Sequence, residues 1–333
     1  MRPDGPSQDS PRFDVLALGE SMLTLYRDAG APHAFAWDVC GAESNTARYC
    51  AALGLKSGWI SRLGTGMAGS LVHDEVAGSG VDTSLVEFCD GAPTGMMLRD
   101  SPERAQRVDY YRRGSAASGM SPEAVPVEAC LETRALHLTG ITPALSDGCR
   151  RLVETLLLEP SDALRSFDLN WRPALWPDGP PRQLFLDLAN RADIVFVGLD
   201  EASAVWGLGE PQAVRSALPG PRIVVVKDAA NGAYAFSGAT AHFEPALRGP
   251  IVGPRGAGDA FAAGFLSGYL THPEDLKRCQ RLGHVVAMSA MVSELDVGPL
   301  PEKAEIDAML DLSTDDWRSL TYPHPPGSPA VDG

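Results

Sequence analysis

Short, mostly apolar runs at residues 15–18, 58–61, 135–138, 164–168, 194–197 and 223–226 are separated by longer stretches in which apolar residues recur at helical spacing. Runs of four or five such residues suit strands covered on both faces, and the amphipathic stretches between them supply the cover. The alternation predicts a largely parallel sheet between layers of helix. Helices are expected over residues 44–53, 68–79, 146–158, 201–206, 259–270 and 276–293, most of them starting near Ser, Asp or Glu, as helix N-termini favour. Between residues 94 and 113 the pattern changes. The segments TGMMLRD and RVDYYRR flank the turn-prone Ser101-Pro102-Glu103, which predicts a β-hairpin projecting from the core. On this hairpin Tyr110 and Tyr111 point to opposite faces, so only one ring can line a site, and Tyr110 is the expected one.

Composition changes this picture mainly at the ends. Both termini are rich in Pro, Gly, Asp and Ser, a composition that buries too little apolar area to offset ordering entropy, so residues 1–12 and 317–333 are expected as tails around a domain at 13–316. A chain of 333 residues with 44% hydrophobic residues can bury a large core. Its formal charge of −15 repels phosphate backbones and anionic membranes, which argues against nucleic acid and membrane as partners and makes any arginine in a site more informative. Cys40, Cys50, Cys89, Cys130, Cys149 and Cys279 form no Cys-x-x-Cys pair and no metal-type grouping with histidine, so reduced thiols and a cytoplasmic protein are expected. No apolar run approaches the roughly 20 residues of a membrane span.

The richest chemistry lies at Gly253-Pro254-Arg255-Gly256-Ala257-Gly258-Asp259, ahead of the small and apolar run AFAAGFL. Glycines at a helix start let the backbone approach a ligand, and the unpaired N–H groups and helix dipole favour an anion such as phosphate. Asp259 in the first turn could take the proton of a substrate hydroxyl in line with that phosphate. Read alone, the loop is equally an ordinary tight turn with Asp259 capping a buried helix. His137, within an apolar run, reads as a hydrogen-bonded core histidine, and Trp171 and Trp176 as packing residues of their loop.

The Gly-Ala-Gly-Asp segment resembles the late signature of the ribokinase-like, or PfkB, sugar kinases. Four further segments resemble the 2-keto-3-deoxygluconate kinase branch in order: Gly41-Ala42-Glu43-Ser44-Asn45, residues 110–116 (YYRRGSA), residues 136–146 (LHLTGITPALS) and residues 167–176 (FDLNWRPALW). The resemblance implies a three-layer α/β/α domain with a mainly parallel central sheet and a small projecting β lid, at about 20–42 and 88–115, that often makes a homodimer contact. It implies ATP and Mg²⁺ as cofactors and a small sugar acid as substrate. Asp259 would be the base beside Gly256, Ala257 and Gly258. Gly41, Asn45, Tyr110, Arg112, Arg172 and Asp296 would bind substrate, while Asn170, Lys227, Asn231, Gly232 and Gln280 would serve the nucleotide and Glu201 the metal through water. Arginine forks match carboxylates bidentately, which gives Arg112 and Arg172 a physical reason beyond the likeness.

The departures from the pattern cluster on the nucleotide side. Gly253 stands where the family usually has Asp, Gly198 replaces the Asn of Asn-x-x-Glu, and Ala229 replaces the first glycine of Lys-x-Gly-x-x-Gly. On the sugar side Met97 stands for Tyr, Cys40 for Gly and Gly66 for Asp. Three functions therefore stay open at this point: a kinase for 2-keto-3-deoxygluconate or a near relative, a kinase for another sugar, polyol, acid or nucleoside, and a degenerate sugar-acid binder.

Overall fold

The computed structural model of the chain describes residues 11–27, 34–99, 108–253 and 255–322. Nine strands form one sheet in the order β13-β12-β11-β10-β9-β8-β1-β4-β5. They are β1 (Phe13–Leu18), β4 (Ser57–Gly64), β5 (Asp82–Cys89), β8 (Thr133–Thr139), β9 (Leu164–Asp168), β10 (Ile194–Gly198), β11 (Ile223–Asp228), β12 (Gly232–Ser237) and β13 (Thr240–Pro245). All neighbours are parallel except β11–β12 and β12–β13. All six apolar runs became strands, and each expected helix formed with its ends moved by no more than two residues.

Period two explains why those runs are continuous. Leu136, Leu138, Val195, Val197, Val224 and Val226 pack on one side against Leu152, Leu156, Phe185, Ala202 and Val214 of four helices. The alternate residues Ala135, Ile194, Phe196, Ile223 and Val225 pack on the other side, among Tyr49, Ala263, Phe261, Phe265 and Val286. Both faces are dry, so the central strands are mostly apolar, and the polar His137 and Ser166 of neighbouring strands pair with each other at 3.0 Å.

Four more strands make a separate sheet in the order β3-β2-β6-β7: β2 (Met22–Arg27), β3 (Phe35–Cys40), β6 (Met96–Arg99) and β7 (Val108–Tyr111). Strands β6 and β7 are the expected hairpin, with Met97 opposite Tyr110, while its turn at Ser101-Pro102-Glu103 lies outside the described residues. The register places Leu23, Val39 and Met96 on the inner end of one face, among the core residues Trp59 and Val72. Phe35, Trp37 and Tyr111 continue that face into solvent at 61, 43 and 60% exposure, whereas Met22, Asp38, Cys40, Met97, Arg99 and Tyr110 share the other.

The C-terminal tail begins later than composition suggested. Residues 317–322 are not tail: Trp317, in the helix Thr314–Ser319, is 1% exposed, donates its indole N–H to the Pro245 carbonyl at 3.0 Å and stacks 4.7 Å under the Arg281 guanidinium. One large aromatic anchors a segment whose average composition looks unstructured, and the Pro/Gly-rich composition itself starts only at Pro323. Trp317→Ala should therefore lower stability by about 3–5 kcal/mol, read as a fall in the urea midpoint; a loss below about 1 kcal/mol would show that the helix is not anchored there.

Candidate active site

The parallel strands deliver their carboxyl ends to one edge of the sheet, where crevices of open α/β sheets bind ligands. Glu20 follows β1, Asp168 ends β9 with Asn170 and Arg172 just beyond it, Gly198 ends β10 and Lys227 lies at the end of β11. Above this edge lies a cleft of about 690 Å³, roofed by the inward face of the small sheet. Gly41, Asn45, Tyr110, Arg112, Arg172, Gly256, Asp259 and Asp296 all line it, so the residues expected to bind substrate converge with the expected base.

Asp259 sits in the first turn of the helix Ala257–Thr271, at 7% exposure. Gly256 caps that helix in the left-handed region (φ 65°), and a methyl there would stand 2.6 Å from the Asp296 carbonyl oxygen, so both conformation and space demand glycine. Two amides clamp the carboxylate. Asn45 donates to Oδ2 and Asn170 to Oδ1, each at 3.0 Å. Asn170, which the resemblance places with the nucleotide, holds a left-handed conformation (φ 38°) and is bonded to Asp259. Burial pushes the Asp259 carboxyl up to about 6, against the pull of the Arg172 guanidinium and the Asn45 hydrogen bond. It is thus a carboxylate at neutral pH with more basicity than an exposed aspartate, suited to taking a proton. Lys227 donates to Asp168 Oδ2 at 2.7 Å, and its Nζ lies 3.4 Å from where a side chain on Gly258 would begin, which brings an ammonium beside the glycine loop.

The cleft is basic within an acidic protein: Arg99, Arg112, Arg113, Arg172 and Arg255 face Glu20, Asp259 and Asp296. Glu20, fully buried, takes the Arg112 Nε at 2.7 Å and also binds a terminal nitrogen of that guanidinium and the Ser115 hydroxyl, which fixes the guanidinium plane. Asp296 Oδ1 accepts from Arg99 at 3.3 Å and lies 3.5 Å from Arg255 Nε, so two guanidinium groups share one carboxylate. Glu20, Arg99 and Arg255 were missed in the sequence, although Glu20 directly follows an apolar strand and Arg255 lies inside the glycine loop, where each position invited attention. Glu43 of the Gly-Ala-Glu segment points away from the cleft, accepting from Thr139 and Thr142 at 2.7 and 2.8 Å.

The remaining nucleotide-side residues do not gather in the cleft. Gln280 is fully buried and donates to the Ala233 carbonyl at 2.7 Å, which braces β12. Asn231 donates to Asp228 at 3.1 Å, and Gly232 opens β12 where a methyl would meet the Glu244 carbonyl oxygen at 2.3 Å. Glu201 takes the backbone N–H of Trp171 on Oε1 at 2.9 Å and that of Gly198 on Oε2 at 2.8 Å. Among the described residues no cluster of three or more His, Cys, Asp or Glu could hold a metal. His137 is a core histidine, 3.0 Å from the Ser166 hydroxyl, and all six cysteines are free.

Such a cleft suits phosphoryl transfer, and the likenesses to known proteins agree. Residues 12–303 match the family described as "pfkB family carbohydrate kinase". The chain is 32% identical over 311 residues to a 2-dehydro-3-deoxygluconokinase of Bacillus subtilis, covering 90% of this chain and 96% of that one. It is 34% identical over 308 residues to the enzyme of that name from Thermoproteus tenax, covering 88% and 93%. A solved PfkB protein from Polaromonas sp. JS666 superposes with a TM-score of 0.76 at 33% identity, covering 89% of this chain and 99% of the other. This chain belongs to the pfkB family of carbohydrate kinases.

Ala229, where the family pattern has glycine, is exposed and held at φ 44°. The strain of a left-handed alanine is real here but tolerated. Ala229→Gly should raise stability by about 1 kcal/mol, seen as a higher urea midpoint at unchanged slope; an unchanged or lower midpoint would contradict the strain.

Proposed function

We propose that the chain transfers the γ-phosphoryl group of ATP to the terminal hydroxyl of 2-keto-3-deoxygluconate or a closely related sugar acid. The observation that carries this is the clamped Asp259 at one end of a cleft whose arginines outnumber its carboxylates. The acceptor's hydroxyl meets Asp259, which takes the proton as the oxygen attacks the γ-phosphorus. The Gly256–Gly258 loop and the helix N-terminus behind it face the transferring oxygens, with Lys227 beside Gly258. Arg172, the strongest charge pulling on Asp259, lies near enough to share in balancing that negative charge. Tyr110 and the fixed Arg112 then receive the acceptor's carboxylate, because a guanidinium held in plane loses little freedom when it binds a second carboxylate.

For Mg²⁺ the fit is indirect. Glu201 has both oxygens engaged by backbone donors and Lys227 holds Asp168, so neither is free to coordinate an ion directly. Glu201 would hold Mg²⁺ through water, and the ion would supply positive charge to the phosphoryl group. The exposed face of Phe35, Trp37 and Tyr111 is where a second copy would pair, which supports a homodimer through the lid. No helix among the described residues is long and apolar enough to cross a membrane, and a cytoplasmic location remains part of this proposal. A second reading, a kinase for another acceptor, is favoured by Cys40 and Met97 at the sugar wall.

The purified protein with Mg-ATP should phosphorylate 2-keto-3-deoxygluconate ahead of neutral sugars and nucleosides, read by ADP release and product mass. Preference for a neutral acceptor would remove the sugar-acid reading, and no turnover of any acceptor would remove the kinase reading. Asp259→Asn should lower turnover by about 10²–10⁴-fold with the fold intact, since the amide cannot accept the proton; retained turnover would exclude Asp259 as base. The base acts only when ionised, so kcat/KM should fall as pH drops through about 6. Arg172 lowers that value, so Arg172→Ala should move this acidic limb to higher pH; a limb that stays in place or moves down would contradict the assignment.

A further inference from the structure

Arg255 is the one cationic side chain of the loop from Gly253 to Asp259, and it lines the cleft. It directly precedes Gly256, where a methyl would stand 3.4 Å from the Asn45 nitrogen that holds Asp259. Its backbone therefore runs beside the base. Its carboxylate partner holds it loosely. Nε lies 3.5 Å from Asp296 Oδ1, beyond the roughly 3.2 Å of a usual N–H···O bond, and that buried nitrogen has no hydrogen-bond partner among the described residues. Arg112 and Lys227, by contrast, meet Glu20 and Asp168 at 2.7 Å. The firm contact of Arg255 is to a neutral group, the Glu294 carbonyl oxygen, which accepts from Nη2. Asp296 also accepts from Arg99 at 3.3 Å, so it stays paired when Arg255 turns away. Asp38, the next carboxylate, accepts the backbone N–H groups of Val39 and Asp296, one on each oxygen, at 2.7 and 3.0 Å.

We infer that Arg255 is a phosphoryl-binding residue, whose guanidinium turns from Asp296 to the γ-phosphoryl oxygens of ATP and stays on them during transfer. This role rests on the kinase reading and adds a side chain to an anion site otherwise made of backbone. The N–H groups at a helix start together carry only about half an elementary charge. A guanidinium adds a whole charge and a planar fork that matches two phosphoryl oxygens. The exchange of partners leaves no carboxylate buried alone, because Arg99 remains on Asp296. Lys227 already neutralises Asp168, which weakens its pull on a further anion. The acceptor's carboxylate is met at the Tyr110–Arg112 end on the small sheet, whereas Arg255 belongs to the loop that faces the transferring oxygens. A contact made to the γ group distinguishes ATP from ADP.

The test measures calorimetric binding of the Mg²⁺ complexes of ADP and of β,γ-imido-ATP without acceptor, and turnover of 2-keto-3-deoxygluconate with Mg-ATP. Arg255→Gln should weaken the triphosphate by about 10-fold or more and ADP by less than about 3-fold. It should also lower kcat by about 10²–10³-fold with little change in the acceptor's KM. Gly253→Asp sets a carboxylate against the guanidinium and should give the same selective loss with Arg255 still in place, so it serves if the first variant fails to fold. Equal loss on both nucleotides, the mark of a residue that only shapes the loop, overturns the inference. So does a loss confined to the acceptor's KM, or a gain in triphosphate binding or turnover for Gly253→Asp. These outcomes leave the kinase reading standing, and the nucleotide measurements decide even where the sugar acid is not the acceptor. A wild-type protein that binds neither nucleotide would overturn the kinase reading together with the inference.

Discussion

Everything at the site depends on one buried carboxylate and the two amides that hold it. Asp259 belongs to a helix late in the chain, Asn45 to the first helix and Asn170 to the loop after β9, so the two 3.0 Å bonds join three distant segments at one point. A carboxylate this buried is costly unless its oxygens are met by donors, and both of them are. The same burial makes it a stronger base. Close helix packing keeps it in place: a methyl on Gly264 would stand 2.5 Å from the Leu282 carbonyl oxygen of the neighbouring helix, so the Ala257–Thr271 helix can sit this deep only because its sequence is small.

Around that point the charges are arranged in pairs of unequal strength. Glu20 with Arg112 and Asp168 with Lys227 are buried, hydrogen-bonded pairs that fix orientation as much as they attract. Asp296 between Arg99 and Arg255 leaves one positive charge in excess, and among the described residues Arg172 hydrogen-bonds only the neighbouring Trp171 carbonyl, at 3.4 Å. A chain of net charge −15 thereby presents an anion with a local basic field while the rest of its surface repels it.

The central strands were legible because burial on both faces makes them mostly apolar, and the glycine loop because left-handed backbone and close approach both select glycine. The strands of the small sheet before residue 94 were not resolved as separate elements, since FAWDVC and MLTLYR mix polar and apolar residues on two half-used faces. The edge strand β13, TAHFEP, was missed for the same reason, and β12 beside it, GAYAFS, because its residues are mostly small. Pairing was the harder part of the site. A sequence shows that Glu20 and Arg112 exist, but not that residues 92 positions apart meet at 2.7 Å, and Asn170 went to the nucleotide because its partner Asp259 is 89 positions away. Gln280 differs: its amide nitrogen donates to a sheet carbonyl, a partner that the sequence does not announce.

The departure at Gly253 bears on its neighbour Arg255. A side chain on Gly253 would begin 3.4 Å from the Arg255 guanidinium, so the aspartate of the family pattern would lie against that guanidinium and draw it away from Asp296. With glycine there, Arg255 instead reaches Asp296 and the Glu294 carbonyl, which ties the glycine loop to the segment bearing Asp296. Arg99 approaches the same carboxylate from the small sheet, and the Asp296 N–H donates to Asp38 on β3 at 3.0 Å. Beside the missing carboxylate at 253, the Arg255–Asp296–Arg99 ion pairs thus join the glycine loop to the small sheet next to Asp259.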